Sequence, residues 1–230
     1  MRETVRELEA FSYSISHDLR APLRAMNNFA QILRENYAAA LDDAGRDYLQ
    51  RISASAGRLD KLVQEVLNYT RILRAEVPLT RIDADQLVRE ILHSYPDWQP
   101  PQVDIQIEGT LPMVLAHEGF LTQCVSNLLG NAVKFVAPGV KPRVRIWAEP
   151  RVTHVRIYFR DNGVGVSPED ETRIFRMFER IHPAAEYEGT GIGLTIVRKA
   201  VERMGGQVNF ESEPGQGTTF WLELRKGDAS

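Results

Sequence analysis

A chain of 230 residues, 43% hydrophobic and 26% charged, has room for two globular domains and too much apolar material to be a disordered segment. Its net charge of −3 and pI near 6.0 exclude a nucleic-acid or anionic-membrane binder that relies on bulk charge. A single cysteine, Cys124, excludes an internal disulfide and points to a reducing, cytoplasmic setting.

Cys124 lies in the apolar run from Phe120 to Val125, where buried packing is the expectation. No apolar run reaches the ~18 residues that would suggest a membrane span, and the N-terminus lacks a signal-peptide core.

Residues 1–76 read as two long helices. The first carries Val5, Leu8, Phe11, Ile15, Leu19, Leu23, Met26, Ala30, Leu33 and Tyr37, in steps of mostly three and four. Turn-type residues over Leu41–Gly45 then break the pattern. The second helix carries Tyr48, Leu49, Ile52, Ala56, Leu59, Leu62, Val63, Val66, Leu67 and Leu73. The short connection makes the two antiparallel neighbours. Two helices alone bury such stripes poorly, so the pattern predicts a second copy of the hairpin and a homodimeric four-helix bundle. Met26 reads as core.

The first helix holds an anomaly. In "SISHDLRAPLR" (14–24), Pro22 has no N–H for the carbonyl of Asp18, so the helix should weaken one turn after His17. His17 falls off the Ile15–Leu19–Leu23 stripe and is expected to face out of the bundle.

Val77-Pro78 closes the helical part, because a proline disfavours helix at the residue before it. Residues 77–230 then mix strands and helices. Asp83 is a good N-cap for a helix to about Ser94. "VDIQIEG" (103–109) alternates as a strand, and 117–136 reads as a helix. "RVRIWAE" and "THVRIYFRD" form a strand pair. "TGIGLTIVRKAVERMG" is a helix ended by Gly205-Gly206, and "QVNFESEPGQGTTFWLEL" is a final hairpin. Without regular βαβ alternation, this predicts an α/β sandwich, a mixed sheet with helices on one face.

Three polar and glycine-rich elements fall in this second part. "NLLGNAVKF" sets Asn127, Asn131 and Lys134 on one helical face. That stripe is either a helix edge exposed to water or a site for metal and phosphate oxygens. Asparagine carbonyls suit Mg²⁺, and an ammonium neutralises phosphate. "DNGVGV" (161–166) follows a strand and is either a turn or a base pocket. In the second case Asp161 accepts from an exocyclic amine, and Gly163 and Gly165 permit close backbone approach. "EGTGIGL" (188–194) precedes a helix, and its N–H groups could gather phosphates. Its spacing is that of neither a Walker loop nor a dinucleotide fingerprint. His93, His117, His154 and His182 show no metal-ligand spacing.

The order of these elements resembles the catalytic core of the sensor histidine kinases of two-component systems. "SHDLRAPL" is similar to their H box, "NLLGNAVKF" to the N box, "DNGVG" to the G1 box, "FRMFER" to the F box and "GTGIGL" to the G2 box. The H box and the "YEGTGIGL" wording look most like phytochrome-type and related kinases.

The resemblance implies an α+β protein. A helical hairpin over 1–76 for dimerisation and histidine phosphotransfer precedes an ATP-binding domain of the GHKL type over 77–230. It implies His17 as phosphate acceptor and Asp18 as the acid that orients the imidazole and takes its proton. Asn131 and Asn127 would hold Mg²⁺, and Lys134 would meet ATP phosphates. Asp161 would read the adenine amine, with Gly163 and Gly165 shaping the pocket. Phe175 and Phe178 would anchor a lid over 179–190, Arg180 would reach the γ-phosphate, and Gly189, Gly191 and Gly193 would hinge it. Thr218 would lie near the nucleotide.

The implied partners are a second copy of the chain, a response regulator receiver domain, and an upstream sensor domain or protein outside this chain. The Arg74–Thr80 connection would be the hinge between domains. One departure stands out. Four residues after the histidine, kinases that dephosphorylate their partner carry Thr or Asn, and here stands Ala21, which cannot position a water. Weak phosphatase activity is the expectation. Two other readings remain open: a GHKL-type ATPase and a non-catalytic dimeric signalling scaffold.

Overall fold

Residues seven apart form the seam of the N-terminal hairpin. The computed structural model describes residues 2–74, 76–181, 187 and 189–227, with side chains from Leu19 onward apart from Ala38. It divides into two compact units, Met1–Arg71 and Ile72–Ser230. In the first, α1 (Arg2–Asn36) and α2 (Asp43–Arg74) are joined by a short 3₁₀ turn, Ala38–Ala40. Leu23 and Ala30 of α1, with Leu49, Ala56 and Val63 of α2, are buried at heptad spacing. Arg20 donates to Asp60 at 3.1 Å and to Gln64 at 2.5 Å, a pairing across the turn that requires antiparallel helices.

The connection lies slightly earlier than the turn chemistry suggested. Asp43, Ala44 and Gly45 belong to α2, and the Asp42 carboxylate accepts from the Gly45 N–H at 2.7 Å. That is helix-capping chemistry, which sequence reading confuses with a turn. α1 runs through Pro22 as helix. His17 and Asp18 lie in α1, and the direction of the His17 side chain falls outside the described residues.

A second apolar stripe of the hairpin is exposed among the described residues. Leu19, Met26 and Leu33 are seven apart and 42–53% exposed, and Ile52 and Leu59 repeat the spacing at 47% and 50%. Met26, expected as core, is therefore exposed in the single chain. Its stripe lies beside the hairpin seam rather than in it.

The second unit is a seven-stranded mixed sheet under one layer of helices. Its strands are β1 (Thr80–Asp83), β2 (Asp104–Ile107), β3 (Met113–Ala116), β4 (Arg143–Pro150), β5 (His154–Asp161), β6 (Gln207–Glu213) and β7 (Gly217–Lys226). The order is β1-β3-β7-β5-β4-β2, with β6 also pairing β7, and β2–β4 is the parallel pair. β1 and β3 were not foreseen. Each has four residues, and neither "TRID" nor "MVLA" alternates polar with apolar.

The helices are α3 (Ala84–Ser94), α4 (Glu118–Lys134) and α5 (Gly193–Arg203). α4 packs between α3 and α5 and onto β4 and β5, so the three form one layer. Val155, Ile157 and Phe159 of β5 and Phe220, Leu222 and Leu224 of β7 supply the sheet's buried face. On the other face Trp147 stacks on Tyr158 at 4.9 Å, and the Arg156 guanidinium lies 4.0 Å over Trp221.

Two helix starts rest on side-chain caps. Asp83 accepts from the Gln86 N–H at 3.0 Å, as the sequence indicated. His117 accepts from Phe120 at 3.4 Å through Nδ1, a structural duty for one of the four spare histidines. His182 lies outside the described residues. No helix among the described residues is long and apolar enough to cross a membrane.

Candidate functional site

The site is built where three chain segments meet at the C-terminal end of β5. Asp161 closes that strand. Its Oδ1 accepts from the Gly163 N–H at 2.8 Å and the Thr218 N–H at 2.9 Å, so one carboxylate oxygen ties the loop after β5 to the start of β7. Among the described residues no donor reaches Oδ2. Burial pushes the carboxyl up to about 6, and the two backbone N–H groups pull only part of the way back.

The surrounding glycines are places where protein backbone touches protein backbone. A Cβ on Gly163 would lie 2.4 Å from the Phe135 carbonyl, one on Gly165 2.1 Å from the Glu213 carbonyl, and one on Gly217 2.1 Å from the Asp161 carbonyl. Gly165 and Gly217 also hold φ of +73° and +84°. The segment after Asp161 is thus no hairpin turn. It threads between the end of α4 and the β6–β7 hairpin, with Val164 N–H donating to Phe135 at 2.8 Å and Val166 N–H donating to the Ser212 hydroxyl at 2.9 Å. The Ser212 and Thr218 hydroxyls lie 2.8 Å apart, and Thr218 is 6% exposed.

α4 carries the polar stripe. Its opposite face is buried as Leu121, Cys124, Val125, Leu128 and Leu129, which fixes the direction of Asn127, Asn131 and Lys134. Burial pushes the Cys124 thiol well up, and its role is packing. Asn127 donates through Nδ2 to the Gln123 carbonyl at 2.8 Å, which turns Oδ1 outward toward the start of α5. A Cβ on Gly193 would stand 2.7 Å from that oxygen, and one on Gly189 3.2 Å from the Lys134 ammonium. The glycine-rich segment therefore runs antiparallel along the polar face of α4, and a Cβ at either glycine would press on the end of a polar side chain, Asn127 Oδ1 or the Lys134 ammonium. α5 has no side-chain N-cap, so its first N–H groups are available to an anion.

Gly191 does different work. It has a φ of +76°, and a Cβ there would strike the Glu179 carbonyl at 2.7 Å. The Phe178 N–H donates to the Gly191 carbonyl at 3.0 Å, and Phe178 itself has a φ of +64°. Phe178, expected as an anchor, is 55% exposed and makes its tie through its backbone. Phe175 packs edge-on against Phe210 at 6.0 Å, and its carbonyl accepts from the Thr195 hydroxyl at 3.0 Å. Arg180 donates to the Tyr187 carbonyl at 2.6 Å. The rest of the expected lid, 182–186 and 188, lies outside the described residues.

The donor set suits a hard cation shared with a phosphate chain. The described residues hold no cluster of three or more His, Cys, Asp or Glu side chains that could cage a metal. Amide oxygens on Asn127 and Asn131 fit Mg²⁺, which keeps waters and takes phosphate oxygens as ligands.

Four residues escaped the sequence reading: Phe135, Tyr187, Ser212 and Gly217. Phe135 caps α4, with the Lys134 ammonium 3.9 Å over its ring and the Tyr187 ring 5.3 Å away. An aromatic next to Lys134 and a tyrosine just before the glycine-rich segment were visible signals. Nothing in the sequence singled out Ser212.

Comparison with known proteins sets this geometry in context. Residues 7–74 match the His Kinase A (phospho-acceptor) domain. Residues 116–228 match the histidine kinase-, DNA gyrase B- and HSP90-like ATPase. The phytochrome-like protein Cph1 of Synechocystis is 32% identical over 96% of this chain and 30% of its own length. The signal transduction histidine-protein kinase BarA of Escherichia coli is 29% identical over 97% of this chain and 25% of its own. The chain thus spans about a third or less of these relatives.

Among solved structures, full-length ShkA in complex with AMPPNP superposes with a TM-score of 0.71, at 31% identity over 96% of this chain and 46% of that one. Histidine kinase ThkA in complex with the response regulator protein TrrA shares the fold, with a TM-score of 0.65 at 22% identity.

The carboxyl that titrates near 6 generates a prediction. An amine donating to Asp161 Oδ2 needs the ionised form, so affinity for such a ligand rises with pH through about 6 and levels off above it. Adenosine binding, followed by calorimetry, should weaken about tenfold from pH 7.5 to pH 5. Asp161→Asn should bind weakly with no such slope. An unchanged slope in the variant would assign the titration elsewhere.

Proposed function

This chain belongs to the sensor histidine kinases, as a catalytic core with a phospho-acceptor hairpin and an ATP-binding domain, and from that premise we propose that it phosphorylates itself on His17 and passes the phosphoryl group to an aspartate of a response regulator. The observation that carries the reading is the Asp161 carboxylate. Two backbone amides use one of its oxygens, and the other is left to an exocyclic amine. Asn127, Asn131, Lys134 and the α5 N-terminus then line one path along which a triphosphate can lie.

The reaction asks little covalent chemistry of the protein. A neutral imidazole nitrogen of His17 attacks the γ-phosphorus, an N–P bond forms, and the P–O bond to the β-phosphate breaks to release ADP. Neutral imidazole is abundant near pH 7. Asp18 orients the ring and takes the proton. Asn127 and Asn131 would hold Mg²⁺, which when bound would neutralise charge on the phosphate chain, and Lys134 and Arg180 add positive charge. Thr218 holds Asp161 through its N–H. Phe175 and the Phe178–Gly191 tie fix the base of the segment that carries Arg180, and Gly189 and Gly193 let it lie close to α4.

We place the phosphotransfer hairpin at 1–76 and the ATP-binding domain at 77–230. The chain acts as a homodimer in the cytoplasm. The exposed heptad stripe of Leu19, Met26, Leu33, Ile52 and Leu59 lacks a cover that a second hairpin supplies. Light scattering at micromolar concentration should give twice the chain mass, and a monomer would contradict the pairing. A sensor domain or protein outside this chain supplies the signal.

Incubation with γ-labelled Mg-ATP should leave acid-labile, base-stable label on the protein. The label should vanish in His17→Gln and on chelation of the metal. Phosphate released without protein label would instead favour the ATPase reading, and neither product would favour the scaffold. Ala21, exposed on α1, gives no hydrogen bond to a water. Ala21→Thr should raise the dephosphorylation rate of a phosphorylated response regulator several-fold while leaving His17 labelling intact. A wild-type rate already equal to that of Ala21→Thr would refute the weak-phosphatase reading.

A further inference from the structure

The contacts of Tyr187 are not explained by the reading above, which uses only Arg180 from that stretch. Tyr187 is joined to the end of α4 across 51 positions of sequence: its phenol O–H donates to the Val136 carbonyl at 3.1 Å. Its ring packs on Phe135 with centroids 5.3 Å apart and planes tilted by 46°. Its backbone carbonyl accepts from Arg180 Nη2 at 2.6 Å. One residue therefore fastens Arg180 to the helix that carries Asn127, Asn131 and Lys134.

The charge around Arg180 is unusual for its neighbourhood. Arg173 pairs with Asp170 and Glu179 at 2.7 and 2.6 Å, and Arg176 reaches Glu179 at 3.7 Å. No described carboxylate lies within ion-pair distance of Arg180, and the partner it has is a neutral carbonyl. A guanidinium has five N–H donors, so this bond fixes its position and leaves most of its hydrogen-bonding capacity, and its whole charge, for an anion. A carboxylate partner would have fixed it equally well and cancelled the charge. Tyr187 is half-buried and lies outside the apolar core of the sheet and helices, so these contacts serve the site.

We propose that Tyr187 is a positioning residue that sets Arg180 for the terminal phosphate and so gives the site its preference for a triphosphate over a diphosphate. The proposal rests on the reading of Arg180 as the γ-phosphate cation and deepens it. The ring on Phe135 and the O–H on Val136 hold the Tyr187 backbone, the Tyr187 carbonyl holds Arg180, and Arg180 meets the phosphate that ADP lacks.

The test is a double-mutant cycle on nucleotide binding by the full chain, with Mg-AMPPNP and Mg-ADP titrated calorimetrically. Tyr187→Ala and Arg180→Ala should each weaken AMPPNP about tenfold while moving ADP less than about twofold. The double variant should lose no more than either single one. Tyr187→Phe keeps the ring and loses the Val136 bond, so it should fall between wild type and Tyr187→Ala, and it carries the comparison if Tyr187→Ala does not fold.

Equal loss for both nucleotides in Tyr187→Ala would make the tyrosine a wall of the base pocket and overturn the proposal. Additive losses in the double variant would overturn it as well. Binding needs no phosphotransfer, so a chain that shows the cycle but never labels His17 would refute the kinase reading and leave the Tyr187 assignment standing.

Discussion

The second unit is organised around a carboxylate that is half satisfied. Asp161 sits at the end of β5 with both bonds from the protein falling on a single oxygen. Those two bonds draw the loop after β5 and the start of β7 to the same point, and the backbone crowding that follows is why Gly163, Gly165 and Gly217 carry no side chain. Burial raises the carboxyl to about 6, so ionising it near neutrality works against folding. Its pKa is ordinarily near 3.9, so the folded chain binds this proton more tightly than the unfolded one. Stability from this group is therefore present at low pH and declines as pH rises from about 4 to about 6. In the proposed function the amine of the ligand would compensate this charge.

α4 relates this point to the rest of the site. Its leucines and Cys124 lock one face into the layer between α3 and α5. The polar face then has no rotational freedom, and Asn127, Asn131 and Lys134 point along one line. At its C-terminal end the same helix gives the Phe135 carbonyl to Val164 and the Phe135 ring to Tyr187. The loop after Asp161, the polar stripe and the Tyr187 contact are thereby referred to one helix, while the glycine-rich segment lies along its polar face.

Much of this was legible in the sequence because it depends on local chemistry. Heptad and helical spacing found both long helices, Asp83 declared a cap, and β4, β5 and the β6–β7 hairpin alternated clearly. The polar stripe of α4 showed itself because three polar residues at steps of four and three stand out among leucines. What was hidden depends on contacts distant in sequence. β1 and β3 show no alternation and exist through the pairing of β1 with β3 and of β3 with β7. Asp42 looked like a turn residue because capping and turning use the same side chains. Met26 is exposed in the single chain, and period alone does not distinguish a seam inside a chain from one that needs a partner. That Phe178 makes its tie through a positive φ and a backbone bond could not be read from the sequence. Ser212 gave no signal at all, since its hydroxyl matters only once β6 lies beside the Val166 N–H.

The central claim is that the free oxygen of Asp161 selects the base. Binding of Mg-ATP and Mg-ITP to the full chain tests it, because inosine carries a carbonyl where adenine carries the amine. The account predicts that ATP binds about tenfold or more tightly than ITP in the wild-type chain, the worth of a hydrogen bond to a charged group, and that Asp161→Asn abolishes or reverses the preference. Equal affinity for the two nucleotides in the wild-type chain would contradict it.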